Sequence, residues 1–302
     1  MRRLAALLLV PALAFTAVAC GDDDGGKTVK PVVTGAFGQK PDIKIPKGKS
    51  GDKTTSTILI EGTGDVIKKD DYVVADTVGK NWDGTDAGNS YDTKTPEVFQ
   101  AGSQELLKEI GQGIIGKKVG TRMLVVVPAK VTQEKQAVVL MLDLKATKTI
   151  DAKAEAKGTA VTPPAGLPVA KVESGKAAEI TIPPGTAAPT KLTVQPLIEG
   201  TGPVVQKGQT LVAQYTGALF DKGTKFDSSW DHGGATAFKI GVGQVVPGWD
   251  EGLVGQKVGS RVLLVLPADK GYGAEGKPPT IPANSTLVFV VDIVDALGGT
   301  AA

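Results

Sequence analysis

The feature that most constrains the fold of this chain is an internal repeat. The sequence EGTG occurs at residues 61–64 and again at 199–202, and GIIGKKVGTRMLVVVPA (113–129) recurs as GLVGQKVGSRVLLVLPA (252–268). The sequences leading into the two copies also agree, IPKG at 45–48 and IPPG at 182–185. A repeat separated by an almost constant interval predicts two domains of one fold, each about 100 residues long.

Both copies contain short runs of apolar, β-branched residues divided by glycine-rich turns. This pattern predicts strands at 72–78, 122–127 and 138–144 in the first copy, and at 210–215, 261–266 and 287–294 in the second. One segment in each copy, 104–110 and 245–254, has helical spacing instead. The prediction is an α+β fold in which a short helix packs against an antiparallel sheet.

Composition sets the boundaries of these domains. Residues 20–40 are polar and glycine-rich, which predicts a tether, and the Ala/Gly/Pro/Lys-rich residues 149–178 predict a second linker. The domains therefore span 41–148 and 179–297, and residues 298–302 form a tail.

The first 19 residues have the order of an export signal. Arg2 and Arg3 precede an apolar run too short to span a membrane, and the run ends in small residues before Cys20. The ending AVAC (17–20) resembles a bacterial lipobox, which implies lipidation of Cys20 and anchoring to the outer side of the cell membrane. The alternative is ordinary cleavage after Ala19 and secretion. We favour the lipoprotein because the only cysteine of the chain stands at this position.

The scarcity of histidine and cysteine excludes several chemistries. One His and one Cys cannot form a Cys/His zinc site, a disulfide framework or a Cys–His nucleophilic dyad. A Ser-His-Asp hydrolase would need His232, which the glycines that follow predict to lie in an exposed loop. The formal charge of +2 falls to zero once Arg2 and Arg3 are cleaved away, so no nucleic-acid partner is indicated. We expect no metal and no cofactor.

The second copy carries five motifs in a fixed order. They are QYTG (214–217), KFDSS (225–229), VVPGWDEG (245–252), GYG (271–273) and IPANSTLVF (281–289). Over residues 192–296 this series resembles the FKBP family of peptidyl-prolyl cis/trans isomerases.

The resemblance implies a twisted antiparallel half-barrel around a short helix, with an apolar pocket between them. Trp249 would form the floor, Asp227 and Tyr272 would act with it as the catalytic groups at the polar edge, and the main-chain N–H of Val246 would receive a ligand carbonyl. The implied substrate-binding walls are Tyr215, Phe226, Phe238, Val245, Val246, Ile281 and Phe289. Thr280 stands where the family more often has a bulky apolar residue.

The reaction implied by the resemblance also suits the composition. Rotation about an X-Pro bond crosses a barrier of about 20 kcal/mol because twisting removes amide resonance, and lowering that barrier needs neither nucleophile nor metal. The implied partners are proline-containing exported proteins and the macrolide inhibitors of the family. The alternative is a non-enzymatic chaperone or binding module that uses two FKBP-like surfaces.

The first copy has lost most of the implied site. Alignment places Thr77 at the Tyr215 position, Ala87 at Phe226, Gly88 at Asp227 and Ile110 at Trp249. Ten residues are missing from the segment that would hold the counterparts of Tyr272 and Ile281. We expect an FKBP-like domain without isomerase activity.

Overall fold

A computed structural model describes residues 27–104, 106–132 and 135–299. The chain divides into two compact units, the first ending at Ile150 and the second running from Asp151 to Gly299. The predicted signal peptide, Cys20 and the last three residues lie outside the described residues.

Unit 1 is built on an antiparallel sheet. Its strands and helices, in chain order, are β1 (Val32–Thr34), β2 (Asp42–Lys44), β3 (Thr55–Ile60), β4 (Tyr72–Asn81), β5 (Asp86–Asn89), α1 (Ser90–Thr93), β6 (Glu97–Gln100), α2 (Lys108–Gly111), β7 (Arg122–Val127), α3 (Ala129–Thr132) and β8 (Val138–Lys148). The sheet has the order β3-β7-β8-β4-β5, β6 also pairs with β4, and β1 and β2 form a separate hairpin.

Unit 2 repeats this plan. Its strands and helix are β9 (Gly158–Ala160), β10 (Val169–Lys171), β11 (Glu179–Thr181), β12 (Thr193–Gly200), β13 (Thr210–Leu219), β14 (Lys225–Ser228), β15 (Thr236–Lys239), α4 (Pro247–Leu253), β16 (Arg261–Leu266) and β17 (Leu287–Leu297). Short 3₁₀ turns occupy Ser229–His232 and Ala268–Lys270. The order is β14-β13-β17-β16-β12-β9, β15 also pairs with β13, and β10 and β11 form the separate hairpin.

The two sheets share their irregularities as well as their strand order. Register shifts between Ile58 and Ile60 and between Val74 and Ala75 in unit 1 recur between Pro196 and Ile198 and between Val212 and Ala213 in unit 2. A bulge re-aims every side chain that follows it, so matching bulges keep matching faces turned inward. The predicted duplication and the α+β class are confirmed.

Both faces of each sheet are covered. In unit 2 the inner face packs on α4 through Trp249 and Leu253, whereas the outer face packs Leu263 and Val265 against Ile180 of the β10–β11 hairpin. Unit 1 has the same two layers, and all six residues of β7 are buried. A strand that is buried on both faces needs apolar side chains at every position. The apolar runs in the sequence are therefore continuous and do not alternate with polar residues.

This outer layer differs from the predicted tether and linker. Residues 32–44 form the β1–β2 hairpin, residues 151–178 belong to unit 2, and β9 pairs directly with β12. Glycine, proline and lysine are frequent here because the hairpins are short and bury few residues, Ile43 and Ile180 among them. Their strands of three residues are too short to show a clear alternation in the sequence.

Each outer face also holds an Arg–Asp pair that the N-terminal segment of its unit covers. In unit 1, Arg122 Nη2 lies 2.8 Å from Asp143 Oδ2, and both side chains are fully buried. The Gly38 N–H donates to the same carboxylate oxygen at 2.8 Å, and Arg122 donates to the Ala36 carbonyl at 3.0 Å. Burial raises the pKa of Asp143 to about 7, since desolvation outweighs these donors.

Unit 2 contains the same arrangement with different partners. Arg261 donates from Nε and Nη2 to the two oxygens of Asp292 at 2.5 and 2.6 Å, and the Ala156 N–H donates to Asp292 at 2.9 Å. Glu155 lies 3.7 Å from Arg261. In both units the segment before the repeat therefore donates a main-chain N–H to the carboxylate of this pair.

We predict that Arg122→Met destabilises the protein by about 3–5 kcal/mol, because Asp143 is left buried without its cation. The double variant Arg122→Met/Asp143→Leu should recover most of this loss, since no charge then remains buried. Urea-induced unfolding followed by circular dichroism measures both values.

A surface ion pair is the control. Lys40→Met removes an exposed pair with Asp92 and should change the free energy of unfolding by less than about 1 kcal/mol. A double variant as unstable as Arg122→Met alone would show that unpaired charge is not the cause.

Candidate functional site

The floor of the candidate site is set by the start of α4. Pro247 is the first helical residue, where its fixed φ suits the helix and its missing N–H costs nothing. Gly248 follows because a Cβ there would lie 2.4 Å from the side chain of Leu266. This close contact seats Trp249 against the inner face of the sheet, where it is 4% exposed.

Three aromatic rings pack against this indole in T-shaped arrangements. The ring centroids of Tyr215, Phe238 and Phe289 lie 5.6, 5.0 and 5.4 Å from that of Trp249, with interplanar angles between 71° and 83°. Phe226 packs on Phe289 at 5.5 Å in the same manner. Edge-to-face contacts place the positive ring edge on the negative ring face, which fixes the orientation of each ring.

The remaining predicted wall residues join the same inner core. Val245 and Val246 are half-buried immediately before α4, and Ile281 is 2% exposed. Gly217 lies behind the rings, where a Cβ would be 2.5 Å from Phe226 and 2.8 Å from Phe289. The packing therefore requires a glycine at position 217, because only a residue without a side chain lets these two rings approach the sheet.

Asp227 is the charged group beside this cluster. Its Oδ2 accepts a hydrogen bond from the Tyr215 hydroxyl at 2.8 Å, and its Oδ1 lies 2.8 Å from His232 Nε2. Partial burial works against ionisation, but the hydrogen bonds from His232 and Tyr215 outweigh it and hold the pKa of Asp227 below its ordinary value. Burial, and then the bond to Asp227, raises the pKa of Tyr215.

Tyr272 lies in the segment between β16 and β17. It is half-buried against the inner core, and Lys277 Nζ lies 5.5 Å from the centre of its ring. Main-chain bonds between Lys277 and Ile281 close this segment into a loop. Thr280 is exposed and bonds only weakly, at 3.4 Å, to the Lys277 carbonyl.

All ten predicted pocket residues belong to this one region of unit 2, and His232 joins them as an unpredicted partner of Asp227. The imidazole is 60% exposed, as the neighbouring glycines predict, and yet it bonds to the carboxylate. The 3₁₀ turn at Ser229–His232 makes this contact because it folds residue 232 back beside residue 227. No motif in the sequence signals that reversal.

Comparison with known proteins identifies this arrangement. The model of the FKBP-type peptidyl-prolyl cis-trans isomerase family matches residues 64–154 and 202–294, more than half of the chain. The chain belongs to the FKBP family of peptidyl-prolyl cis-trans isomerases.

Individual relatives agree with the family match. An FK506-binding protein of Streptomyces anulatus is 44% identical over 112 residues, which are 37% of this chain and 90% of that protein. An FK506-binding protein of Neisseria meningitidis serogroup B is 44% identical over 103 residues, covering 34% of this chain and 94% of that protein. A peptidyl-prolyl cis-trans isomerase of Arabidopsis thaliana is 49% identical over 88 residues, 29% of this chain and 53% of the relative.

Unit 1 keeps the FKBP framework but lacks several of the pocket groups. Thr77 pairs with Leu142 as Tyr215 pairs with Val291, and Gly88 lies opposite Gly79 as Asp227 lies opposite Gly217. The register therefore agrees with the alignment that assigns these losses.

The residue at the Trp249 position and the connection before the last strand also differ in unit 1. Ile110 is buried where unit 2 has Trp249. Only residues 128–137 connect β7 to β8, whereas residues 267–286 connect β16 to β17.

Within the described ranges, no cluster of three or more His, Cys, Asp or Glu side chains is placed to hold a metal ion. Over those same residues, no helix is long and apolar enough to cross a membrane.

We predict that Gly217→Ala lowers the affinity of unit 2 for a macrolide inhibitor of the family at least ten-fold, because the new methyl group displaces Phe226 and Phe289. Overpacking of this kind should also cost about 1–3 kcal/mol of stability. Isothermal titration calorimetry and urea unfolding measure the two effects.

Gly252→Ala is the matched control. Its Cβ would lie 2.8 Å from Leu264, in the same core but away from the aromatic cluster. This variant should bind the inhibitor normally even if it loses stability. Equal losses of affinity in both variants would mean that general strain, and not the position of the rings, weakens binding.

Proposed function

We propose that unit 2 catalyses the cis/trans isomerisation of X-Pro bonds in exported proteins. The observation that carries this proposal is the set of aromatic rings packed on Trp249, with Asp227 and Tyr272 beside it. Family membership supports the reaction, and the complete set of pocket residues in unit 2 supports the assignment to that unit.

The apolar walls favour the twisted amide over the planar one. A planar amide has a large charge separation through resonance, and water stabilises that separation. A twisted amide has less of it, so transfer from water into an apolar pocket stabilises the transition state relative to the ground state. This mechanism asks for shape and apolar surface, which the edge-on rings provide.

A main-chain donor can hold the substrate carbonyl during this rotation. Val246 immediately precedes α4, so its N–H has no acceptor within the helix. A substrate carbonyl bonded there keeps its position while the proline ring turns. The bond then fixes one end of the rotating amide and limits unproductive motion.

Asp227 acts as a fixed charge and not as a proton donor or acceptor. Its hydrogen bonds hold its pKa below the ordinary value, so the carboxylate remains ionised at neutral pH. The reaction transfers no proton, and Asp227 contributes by setting the electrostatic potential at the pocket edge. The hydroxyl of Tyr215 is committed to Asp227, which leaves Tyr272 as the phenol available to the substrate.

We predict that Tyr215→Phe lowers kcat/KM for an X-Pro peptide by about five-fold, since one hydrogen bond worth roughly 1 kcal/mol is lost at Asp227. Asp227→Ala should lower it about ten-fold or more. Exchange NMR on a proline peptide, with the full chain as catalyst, measures both rates.

Thr77→Val in unit 1 is the matched control. Thr77 is the counterpart of Tyr215, and among the described residues its buried hydroxyl has no hydrogen-bond partner. The variant should keep the full rate. A loss of rate in Thr77→Val would assign catalysis to unit 1, whereas an inactive wild type that still binds unfolded clients would favour the non-enzymatic binding module.

We further propose that a lipid on Cys20 anchors the protein to the outer face of the cell membrane. The support is the signal-like order of residues 1–19 and the position of the only cysteine at its end. Two or more acyl chains give stable anchoring, whereas one chain gives only reversible binding. An anchored isomerase would meet exported chains as they emerge.

We predict that Cys20→Ser moves the protein from the membrane fraction to the soluble exported fraction. Intact-mass spectrometry of the wild type should show the added acyl mass. Wild-type protein recovered in the soluble fraction with residue 20 unmodified would support ordinary cleavage and secretion.

A further inference from the structure

Both carboxylate oxygens of Asp227 are hydrogen-bonded, one to the imidazole of His232 and the other to the hydroxyl of Tyr215. His232 Nε2 lies 2.8 Å from Oδ1, and the Tyr215 hydroxyl lies 2.8 Å from Oδ2. The Ser228 N–H also donates to Oδ1 at 2.8 Å. An ionised carboxylate only accepts hydrogen bonds, so His232 must carry a proton on Nε2 to make its bond.

Of these three donors, only His232 can change its charge near neutral pH. Histidine is the side chain whose ordinary pKa lies in that range, and the sequence contains a single histidine. A neutral imidazole gives Asp227 an uncharged hydrogen bond. An imidazolium gives a charge-assisted bond about twice as strong and also offsets the negative charge of the carboxylate.

We propose that His232 is a positioning residue for Asp227, and that its protonation makes the isomerase activity of unit 2 depend on pH between about 5.5 and 8. This inference rests on the proposed function of unit 2. His232 acts through Asp227, because its bond is to that carboxylate.

The other charged groups around His232 are few. Lys225 and Asp231, on β14 and in the 3₁₀ turn, bond to each other at 2.8 and 3.0 Å and offset one another. The phenol of Tyr215 bonds to the carboxylate from the inner core, and Tyr272 lies near Tyr215 in that core. Asp151 and Lys153 lie in the segment at the start of unit 2. The Ala152 carbonyl between them accepts a hydrogen bond from the N–H of Ala235, three residues after His232.

Protonation of His232 should raise the activity. With imidazolium present, a charge-assisted hydrogen bond holds the carboxylate of Asp227 firmly in the position from which it acts on the pocket edge. With neutral imidazole the hydrogen bond is uncharged and the carboxylate is held less firmly. Asp227 is about one-third exposed, so solvent screens the difference and we expect a two- to five-fold higher kcat/KM at pH 5.5 than at pH 8.

The test combines two measurements on the full chain without a polyhistidine tag. Because the chain has one histidine, its carbon-bound ring protons give one imidazole spin system in an NMR titration. The midpoint of that titration should coincide with the midpoint of the activity profile for an X-Pro peptide with no titrating side chains. A purely structural role for His232 would not produce this coincidence.

Two variants fix the charge at position 232. His232→Arg keeps a positive donor and should show high activity at both pH values, whereas His232→Gln keeps an uncharged donor and should show low activity at both. Lys191→Gln, an exposed change outside the Asp227 hydrogen bonds, should retain the wild-type profile. His232→Gln leaves all other titrating groups unchanged, Asp143 in unit 1 among them. Any pH dependence that remains in this variant therefore comes from a group other than His232.

The outcomes separate this inference from the proposed function. An active wild type with a flat profile, or a His232→Gln variant with the wild-type profile, overturns the role of His232 alone. A chain that accelerates isomerisation at no pH overturns the proposed function and this inference together. Activity and imidazole midpoints more than about one pH unit apart would assign the pH dependence to another group.

Discussion

The seating of Trp249 against the sheet is the constraint on which the site of unit 2 depends. The indole reaches its place because Gly248 lets the helix approach Leu266, and the rings of Tyr215, Phe238 and Phe289 then pack around it at nearly perpendicular angles. Asp227 depends on this arrangement in turn, because its hydroxyl partner belongs to one of these rings. Packing therefore determines the electrostatics of the site.

Unit 1 shows what remains when this constraint is absent. Ile110 fills the floor, yet the bulges, the strand order and the Arg–Asp pair of the outer face persist. Even the hydrogen bond from the main-chain N–H of Thr77 to Ser90 has its counterpart between Tyr215 and Ser229. The fold therefore needs the sheet and its two apolar layers, but not the particular residues Tyr215, Asp227 and Trp249.

The sequence predicted the parts that depend on local pattern and on repetition. The strand at 261–266 is predicted to the residue, and the deletion inferred before the last strand of unit 1 matches the shorter connection at 128–137. The hairpins at 32–44 and 169–181 were missed because each buries few side chains, and their role depends on a distant sheet face. His232 was missed for a similar reason, since a 3₁₀ turn and not a motif brings it to Asp227.

The apolar layer beneath each outer hairpin affects how many substitutions the inner face of the domain can tolerate. Because Ile180 and its neighbours bury the outer face of the sheet, part of the folding free energy comes from the face opposite the Trp249 cluster. Substitutions that weaken the inner face are therefore buffered, and sequence drift at the pocket need not unfold the module. A duplicated copy that keeps its hairpin is free to lose one chemistry and acquire another.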